Sequence, residues 1–475
     1  MDKSDSPILK ESVVAGRNSQ GHEVRGVPIH LDCHRAIFEV GNSQVALRTS
    51  EVLSDFKLIL KDQTLYSGRA VITNLLNTEL VLLCEVALEE AWFDASLSAP
   101  VSQVGQLGAG FNGFLREWQK LYVVRPEFKI AVADLQTFLW DLRLWLEHVE
   151  VRLRTSSSGD GQGLAREVME QLDQPTVRAI NSLHERFEEI ADRVDARSWP
   201  VHVNFTRRLV HSLFLRSPFA YRSYHKPLGY AGDYEMVNMI MRNPCEGASL
   251  FAQAINLWLL RQPLSEAHRN RISYLRENLV QETLRVSREG RMTRIFNLGC
   301  GPAHEIQAFL KANALCDLAD FTLLDFNEET IEYVRRVLEG LKREFGRGTV
   351  LQFKKKSVVN ILKEAVRTEA DFSGSRYDLI YCAGLLDYLP DRVCKQLMAV
   401  FYQWLAPGGL MVITNVNQSE PFHMMECLLD WHLLYRNPRQ LLALAPEQAL
   451  PDQCSTKTDL TGANVFLEVR KPAGG

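Results

Sequence analysis

The sequence predicts an α/β protein in three parts: a small β-barrel, a helical segment, and an open, largely parallel α/β sheet. Three observations carry this. Residues 25–92 hold short β-type runs, residues 93–216 hold apolar positions three and four apart, and from about 290 β-type and α-type runs alternate. The expected boundaries are 1–92, 93–216 and 217–475, the last with a helical lid ahead of its first strand. A length of 475 residues with 46% hydrophobic and 24% charged residues fits a multidomain globular chain.

In the first part HRAIFEV, DFKLILKD, SGRAVIT and TELVLLCEVAL are the strands, parted by turn signals at Gly41-Asn42, Lys61-Asp62 and Asn74 to Asn77. A strand before SGRAVI and a closing strand after it resemble a degenerate PilZ-type barrel. That family binds a cyclic dinucleotide through Arg-x-x-x-Arg and Asp/Asn-x-Ser-x-x-Gly. Val27 to Arg35 has no Arg pair at that spacing, and no D-x-S-x-x-G follows. The resemblance therefore implies a structural or docking module rather than a nucleotide receptor.

The second part reads as helices over FLREWQKLYVV, IAVADLQTFLWDLRLWLEHVEVRLR and PTVRAINSLHERFEEIADRV, with Ser156 to Gly163 as a flexible loop. Trp118, Phe138, Trp140 and Trp145 are expected in a helix–helix core, and the amphipathic helices also offer a homodimer interface. The most apolar stretch, Ile130 to Leu146, carries Asp134, Asp141 and Arg143 and is too short and too charged to span a bilayer.

Lys plus Arg number 54 against 58 Asp plus Glu, a net charge of -4, which disfavours a dedicated nucleic-acid binder. Nine cysteines without a C-x-x-C pair read as reduced thiols, and no metal set is expected. MDKSDSPILKES has no apolar core of a secretory signal, so a cytoplasmic location is expected.

The sharpest motif runs from Ile295 to Glu305: a strand enters Gly299-Cys300-Gly301, and a helix follows. Glycines there let a ligand approach the backbone, and Asp325 at the next strand end can accept from both hydroxyls of a ribose. The cofactor is then a dinucleotide or S-adenosylmethionine. A dinucleotide fingerprint needs a small residue where His304 stands; here the small residue, Ala303, comes one position earlier.

Together with YDLIYC, DYLPD and LAPGG further on, the motif resembles the Rossmann-like class I methyltransferases, whose cofactor is S-adenosyl-L-methionine. The resemblance implies that Asn297, Gly299, Cys300 and Gly301 hold its methionine and ribose parts and Asp325 the ribose hydroxyls. Phe326, Asn327, Ser357 and Val358 would flank adenine, and Ala383 and Gly384 would lie near the sulfonium. Asp325 also suits a helix cap, Glu305 a first helical turn, and Cys300 a small packing position.

The fold leaves the acceptor open. KPLGYAGDYEMVN, GLLDYLPD and DWHLLYR resemble the 3-hydroxypalmitic acid methyl ester biosynthesis family, which esterifies a 3-hydroxy fatty acid into a quorum-sensing signal. A carboxylate is nucleophilic at neutral pH, so such an enzyme needs placement and desolvation rather than a strong base. Tyr230, His423 and Arg436 are the expected catalytic positioners, and His225, Lys226, Tyr388, Phe422 and Trp431 the acceptor contacts. Phe422, Met424, Met425, Leu428, Leu429 and Trp431 offer an apolar slot for the small-molecule acceptor. Two alternatives stand beside this: an N- or O-methyltransferase on another metabolite or protein side chain, with Asp387, Tyr388 or His423 as base, and a non-catalytic S-adenosylmethionine-binding regulator.

Overall fold

Among the described residues six strands close the N-terminal barrel: β1 (Ser12–Arg17), β2 (Glu23–Asp32), β3 (Arg35–Val40), β4 (Val52–Leu60), β5 (Gln63–Asn77) and β6 (Leu82–Leu88). They neighbour in the order β1-β2-β3-β6-β5-β4, and β1 pairs with β4 to close the ring. The computed structural model describes residues 12–89 (except 33, 42–46, 61–62 and 78–81), residues 108, 111–112, 115–116 and 119, and residues 123–473 (except 156–160, 243, 368–375 and 418–421).

Alternate residues fill the barrel: Val14, Phe38, Phe56, Leu58, Ile72 and Val86 all join one buried cluster, as the two-residue period of a strand requires. Sequence patterning missed β1 and β2. The second carries Pro28, beside which its pairing with β3 slips register. Asn74 to Asn77, expected as a turn, belongs to β5, whose register with β6 shifts between Ile72 and Asn74. The turn signals at Asn42 and Lys61-Asp62 lie outside the described residues.

The helical part comprises α1 (Pro126–Thr155), α2 (Gly161–Ala191), α3 (Trp199–Phe214), α4 (Pro218–His225), α5 (Tyr234–Met241) and α6 (Leu250–Leu260). Phe128, Phe187 and Phe214 share one core with Phe219, Met236 and Trp258, so the bundle continues beyond residue 216 through α6. Phe138 packs against this core, but Trp140 and Trp145 are 41% and 51% exposed, correcting the expectation of a buried stripe. They flank the buried face of α1 that carries Leu135, Leu139 and Leu146, one on each side. Gly161-Gln162-Gly163 opens α2 instead of prolonging the loop. Trp118 and most of FLREWQKLYVV lie outside the described residues.

The C-terminal sheet has the order β12-β13-β11-β10-β7-β8-β9. Its strands are β7 (Thr293–Leu298), β8 (Ala319–Asp325), β9 (Val350–Lys355), β10 (Tyr377–Cys382), β11 (Leu405–Val416), β12 (Cys454–Thr458) and β13 (Asn464–Arg470). Helices α7 (Pro263–Ser287), α8 (His304–Ala312), α9 (Glu328–Glu344), α10 (Val358–Arg367) and α11 (Asp391–Trp404) cover it, and α12 (His423–Leu429) and α13 (Pro438–Leu442) follow β11. Strands β7 to β11 run parallel and are nearly continuously apolar in β7, β8 and β10, as burial on both faces demands. NVFLEVR forms β13, which pairs antiparallel with β11 on one side and with β12 on the other, so an antiparallel β12–β13 hairpin closes this edge of the sheet. The polar CSTKT takes the edge, where unpaired backbone meets water.

The strand order reverses between β7 and β10, so the chain leaves these two strands in opposite directions and opens a crevice at their carboxyl ends. Met424, Leu428 and Leu429 of α12 enter the bundle core, which seats the bundle over that crevice. No described helix is long and apolar enough to cross a membrane.

Candidate functional site

β7 ends in a turn held by β8: the amides of Gly299 and Cys300 both donate to Leu324 O, at 2.8 and 3.0 Å. Gly299 (φ 71°), Gly301 (φ 50°) and Ala303 (φ 53°) take left-handed backbone before α8 begins at His304. A Cβ on Gly301 would meet no atom within 4 Å, so the turn faces open space, the room a ligand needs. Below it Glu305 Oε1 accepts from Tyr381 Oη (2.8 Å) and Asn297 Nδ2 (3.3 Å), tying β7, α8 and β10 together.

Asp325 ends β8. Its Oδ1 accepts from the Asn327 amide at 3.0 Å and its Oδ2 from the Gly301 amide at 3.4 Å. Burial raises the Asp325 pKa, opposed by those amides and by the Arg48 charge. Each oxygen keeps a second lone pair, the valence that a ribose diol would use.

At the end of β10 Gly384 (φ 87°) donates its amide to Thr414 Oγ1 at 3.0 Å. A Cβ there would stand 3.0 Å from Nη1 of Arg271, which lies over this strand end from α7. Arg271 Nη2 is 2.7 Å from Nδ1 of His268, one turn earlier. Burial, with the Arg271 charge beside it, drives the His268 pKa well down, so this imidazole is a neutral acceptor. Asp387 supplies the largest attraction on Arg271; burial raises the pKa of Asp387 to about 6, against Arg271 and the Val416 amide, which donates to its Oδ1 at 2.7 Å.

These groups line one cavity of about 800 Å³. Its wall includes Asn297, Gly299, Cys300, Gly301, Asp325, Phe326, Ser357, Val358, Ala383 and Gly384. From there it continues past Tyr230 and Tyr388 to Phe214, Phe219, Met236, Trp258, Met424 and Leu428. Phe422 and Trp431 also line it, and Trp431 Nε1 donates to Tyr388 Oη at 2.9 Å. Tyr230 packs on Phe326, ring centroids 4.8 Å apart.

Five expected residues stand outside this wall, each with other work. Asn327 caps α9, accepting from the Thr330 amide. His225 packs between the rings of Tyr221 and Tyr224. Lys226 donates to Leu429 O at 3.0 Å, and burial lowers its pKa to about 7. His423 packs on Trp199 with Nε2 3.7 Å from Asp192. Arg436 spends its donors on Asp391, Leu386 O, Leu389 O and Asn415, stitching the segments after β10 and β11 together.

Sequence reasoning overlooked Arg271, His268 and Arg48. The first two had a readable signal: they sit three apart on the α7 face that also carries the buried Ile272, Leu275 and Leu279. Arg48 had none, because it belongs to the barrel and reaches the cavity only through the tertiary fold.

Residues 268–460 match a family model described as a methyltransferase domain. No curated protein matches the chain. Among solved structures it is similar to a possible exported protein from Bordetella parapertussis, at 18% identity over 67% of this chain and 100% of that one, TM-score 0.43. It is also similar to magnesium protoporphyrin IX methyltransferase from Synechocystis PCC 6803 (12% identity, 45% and 87% covered, TM-score 0.32). A third is the N-methyltransferase NodS from Bradyrhizobium japonicum WM9, in complex with S-adenosyl-l-homocysteine (15%, 50% and 98%, 0.29). The family match spans the glycine turn, the strand-end acid and the crevice between β7 and β10. Residues 268–460 are thus an S-adenosylmethionine-dependent methyltransferase domain.

Proposed function

We propose that the chain methylates the carboxylate of a 3-hydroxy fatty acid, producing a methyl ester signal of the kind used in quorum sensing. One observation supports this reading: a single cavity is lined both by the glycine turn and by apolar side chains of the bundle, and the Arg271 guanidinium stands in its wall beside Gly384. Bound S-adenosylmethionine supplies an activated methyl group. The work left to the protein is to strip water from the acceptor carboxylate, aim one oxygen and hold the other. Arg271 is the group to hold it, because a guanidinium matches a carboxylate in charge and fork geometry. Phe214, Phe219 and Met236 would take the acyl chain, and Tyr230, Tyr388, Phe422 and Trp431 would shape the passage.

One observation favours a second reading. With a pKa of about 6, Asp387 is ionised at neutral pH yet basic enough to deprotonate an amine or hydroxyl acceptor. The same proposal keeps the PilZ-like barrel as a docking module and the cytoplasm as the location. It also keeps a homodimer through α1, whose Trp140, Leu144 and Trp145 are exposed.

The deciding experiment is expression in a host lacking the pathway, with mass spectrometry of extracted lipids. A new 3-hydroxyacyl methyl ester is expected, absent with Gly301→Arg, whose side chain fills the open face of the turn. No new ester from soluble, cofactor-binding protein would sink the fatty-acid reading.

A further inference from the structure

The connection from β3 to β4 belongs to the barrel, yet Leu47, Arg48, Thr49, Ser50, Glu51 and Val52 are all buried. Connections usually run over the surface, so this segment has been inserted into something. Thr49 donates its amide to Tyr388 O at 3.4 Å, Ser50 Oγ donates to His432 O at 2.8 Å, and Val52 donates to Gly229 O at 2.8 Å. Within the barrel, Glu51 accepts from the amides of Arg48 (3.1 Å) and Ser19 (3.0 Å). The segment is thus clamped between the barrel and the loops that roof the catalytic cavity.

Arg48 is 6% exposed and forms part of the cavity wall. Its Cζ lies 3.7 Å from the centroid of Phe326 and 5.5 Å from that of Tyr230. Stacking satisfies the face of a guanidinium but none of its N–H groups, and Nη2 of Arg48 is buried with no hydrogen-bond partner. An unpaired buried donor on a charged group is costly, and it persists where a ligand completes it.

We propose that Arg48 is a cofactor-binding residue supplied by the barrel, donating from Nη2 to the adenosine part of S-adenosylmethionine. The proposal rests on the cofactor reading of the cleft. Its position follows from Phe326, which succeeds the ribose-facing Asp325 and carries Arg48 on its ring. Adenine and ribose both present acceptors at their edges, whereas the sulfonium repels a cation. The adenosine end is therefore the end a guanidinium serves, and the cofactor site is complete only when the barrel is docked.

The test is isothermal titration calorimetry on the full chain with S-adenosylhomocysteine and with 5′-methylthioadenosine, which lacks the amino-acid end. Arg48→Ala is expected to weaken both by about tenfold or more, the loss of one charge-assisted hydrogen bond. Arg48→Lys keeps the charge without the planar stack and should fall between. Without ligand, Arg48→Ala should melt no lower than wild type, since it removes an unsatisfied group. Should Arg48→Ala not fold, Arg48→Lys and Arg48→Gln carry the comparison. Unchanged affinity for both probes would overturn the proposal, as would a defect confined to acceptor KM. Wild type that fails to bind S-adenosylhomocysteine would overturn the cofactor reading and this proposal together.

Discussion

At Asp325 a structural and a ligand-binding role share one side chain. Two backbone amides hold the carboxylate in place and leave its remaining lone pairs toward the cavity. Arg271 is built differently: its Nη2 is paired with a neutral imidazole, and its charge is opposed by Asp387 across the strand end. Such a guanidinium can trade part of one carboxylate's attraction for another's, which a residue saturated like Arg436 cannot. Arg271→Ala should therefore lower kcat/KM for a carboxylate acceptor about 100-fold, the scale of losing a charge-assisted pair in a desolvated site. S-adenosylhomocysteine affinity should stay within about threefold, since the cofactor's anchors lie on the turn and on β8. Steady-state kinetics with parallel calorimetry separate these. Full activity in the alanine variant would remove Arg271 from the acceptor site.

Among the elements, the segment between α4 and α5 shows how a loop becomes a wall. Lys226 (φ 46°), Gly229 (φ 81°) and Gly232 (φ 71°) take left-handed backbone within seven residues, and Arg222 pins the far end through Asp233, which caps α5. A Cβ on Gly232 would lie 2.6 Å from Tyr388 Oη, the atom that accepts from Trp431. Gly232→Ala should cost roughly 1–2 kcal/mol from the left-handed conformation alone. By pushing Tyr388 it should also raise acceptor KM while leaving S-adenosylhomocysteine binding intact. A thermal melt and the two binding measurements check this, and an unchanged KM would detach the loop from the acceptor. Elements with one strong local signal were legible in the sequence: the alternating strands from β7 to β11, the Gly299–Gly301 turn, and the glycines of this loop. Those defined by tertiary partners were not. β2 hid behind Pro28, and His423 and Arg436 looked chemical because their packing partners lie far away in sequence. The same long-range dependence concealed Arg48.

In the molecule as a whole, the barrel, the bundle and the α/β sheet each contribute to the cavity wall, and the charges that meet there come from segments far apart in the chain. Arg271 arrives on α7, Asp387 follows β10, and the Val416 amide that holds Asp387 ends β11. This convergence gives the two acceptor readings opposite pH signatures. Asp387 has its pKa raised to about 6, so it takes up a proton as pH falls through that value. If the acceptor is a carboxylate, a protonated Asp387 stops competing for Arg271. A fatty acid with an ordinary carboxyl pKa stays ionised at pH 6. Acceptor KM should then fall as pH is lowered from 8 to about 6, and Asp387→Asn should have a low KM that no longer varies with pH. If the acceptor is an amine or hydroxyl and Asp387 its base, protonation removes the catalyst. The rate should then drop about tenfold per pH unit below 6, and Asp387→Asn should be nearly inactive across the range. A KM and kcat profile between pH 5.5 and 8, run on wild type and Asp387→Asn with the same acceptor, reads both. Loss of kcat toward low pH, with a dead Asn variant, would argue against a carboxylate as the acceptor being assayed, because no base is required when the nucleophile enters as an anion.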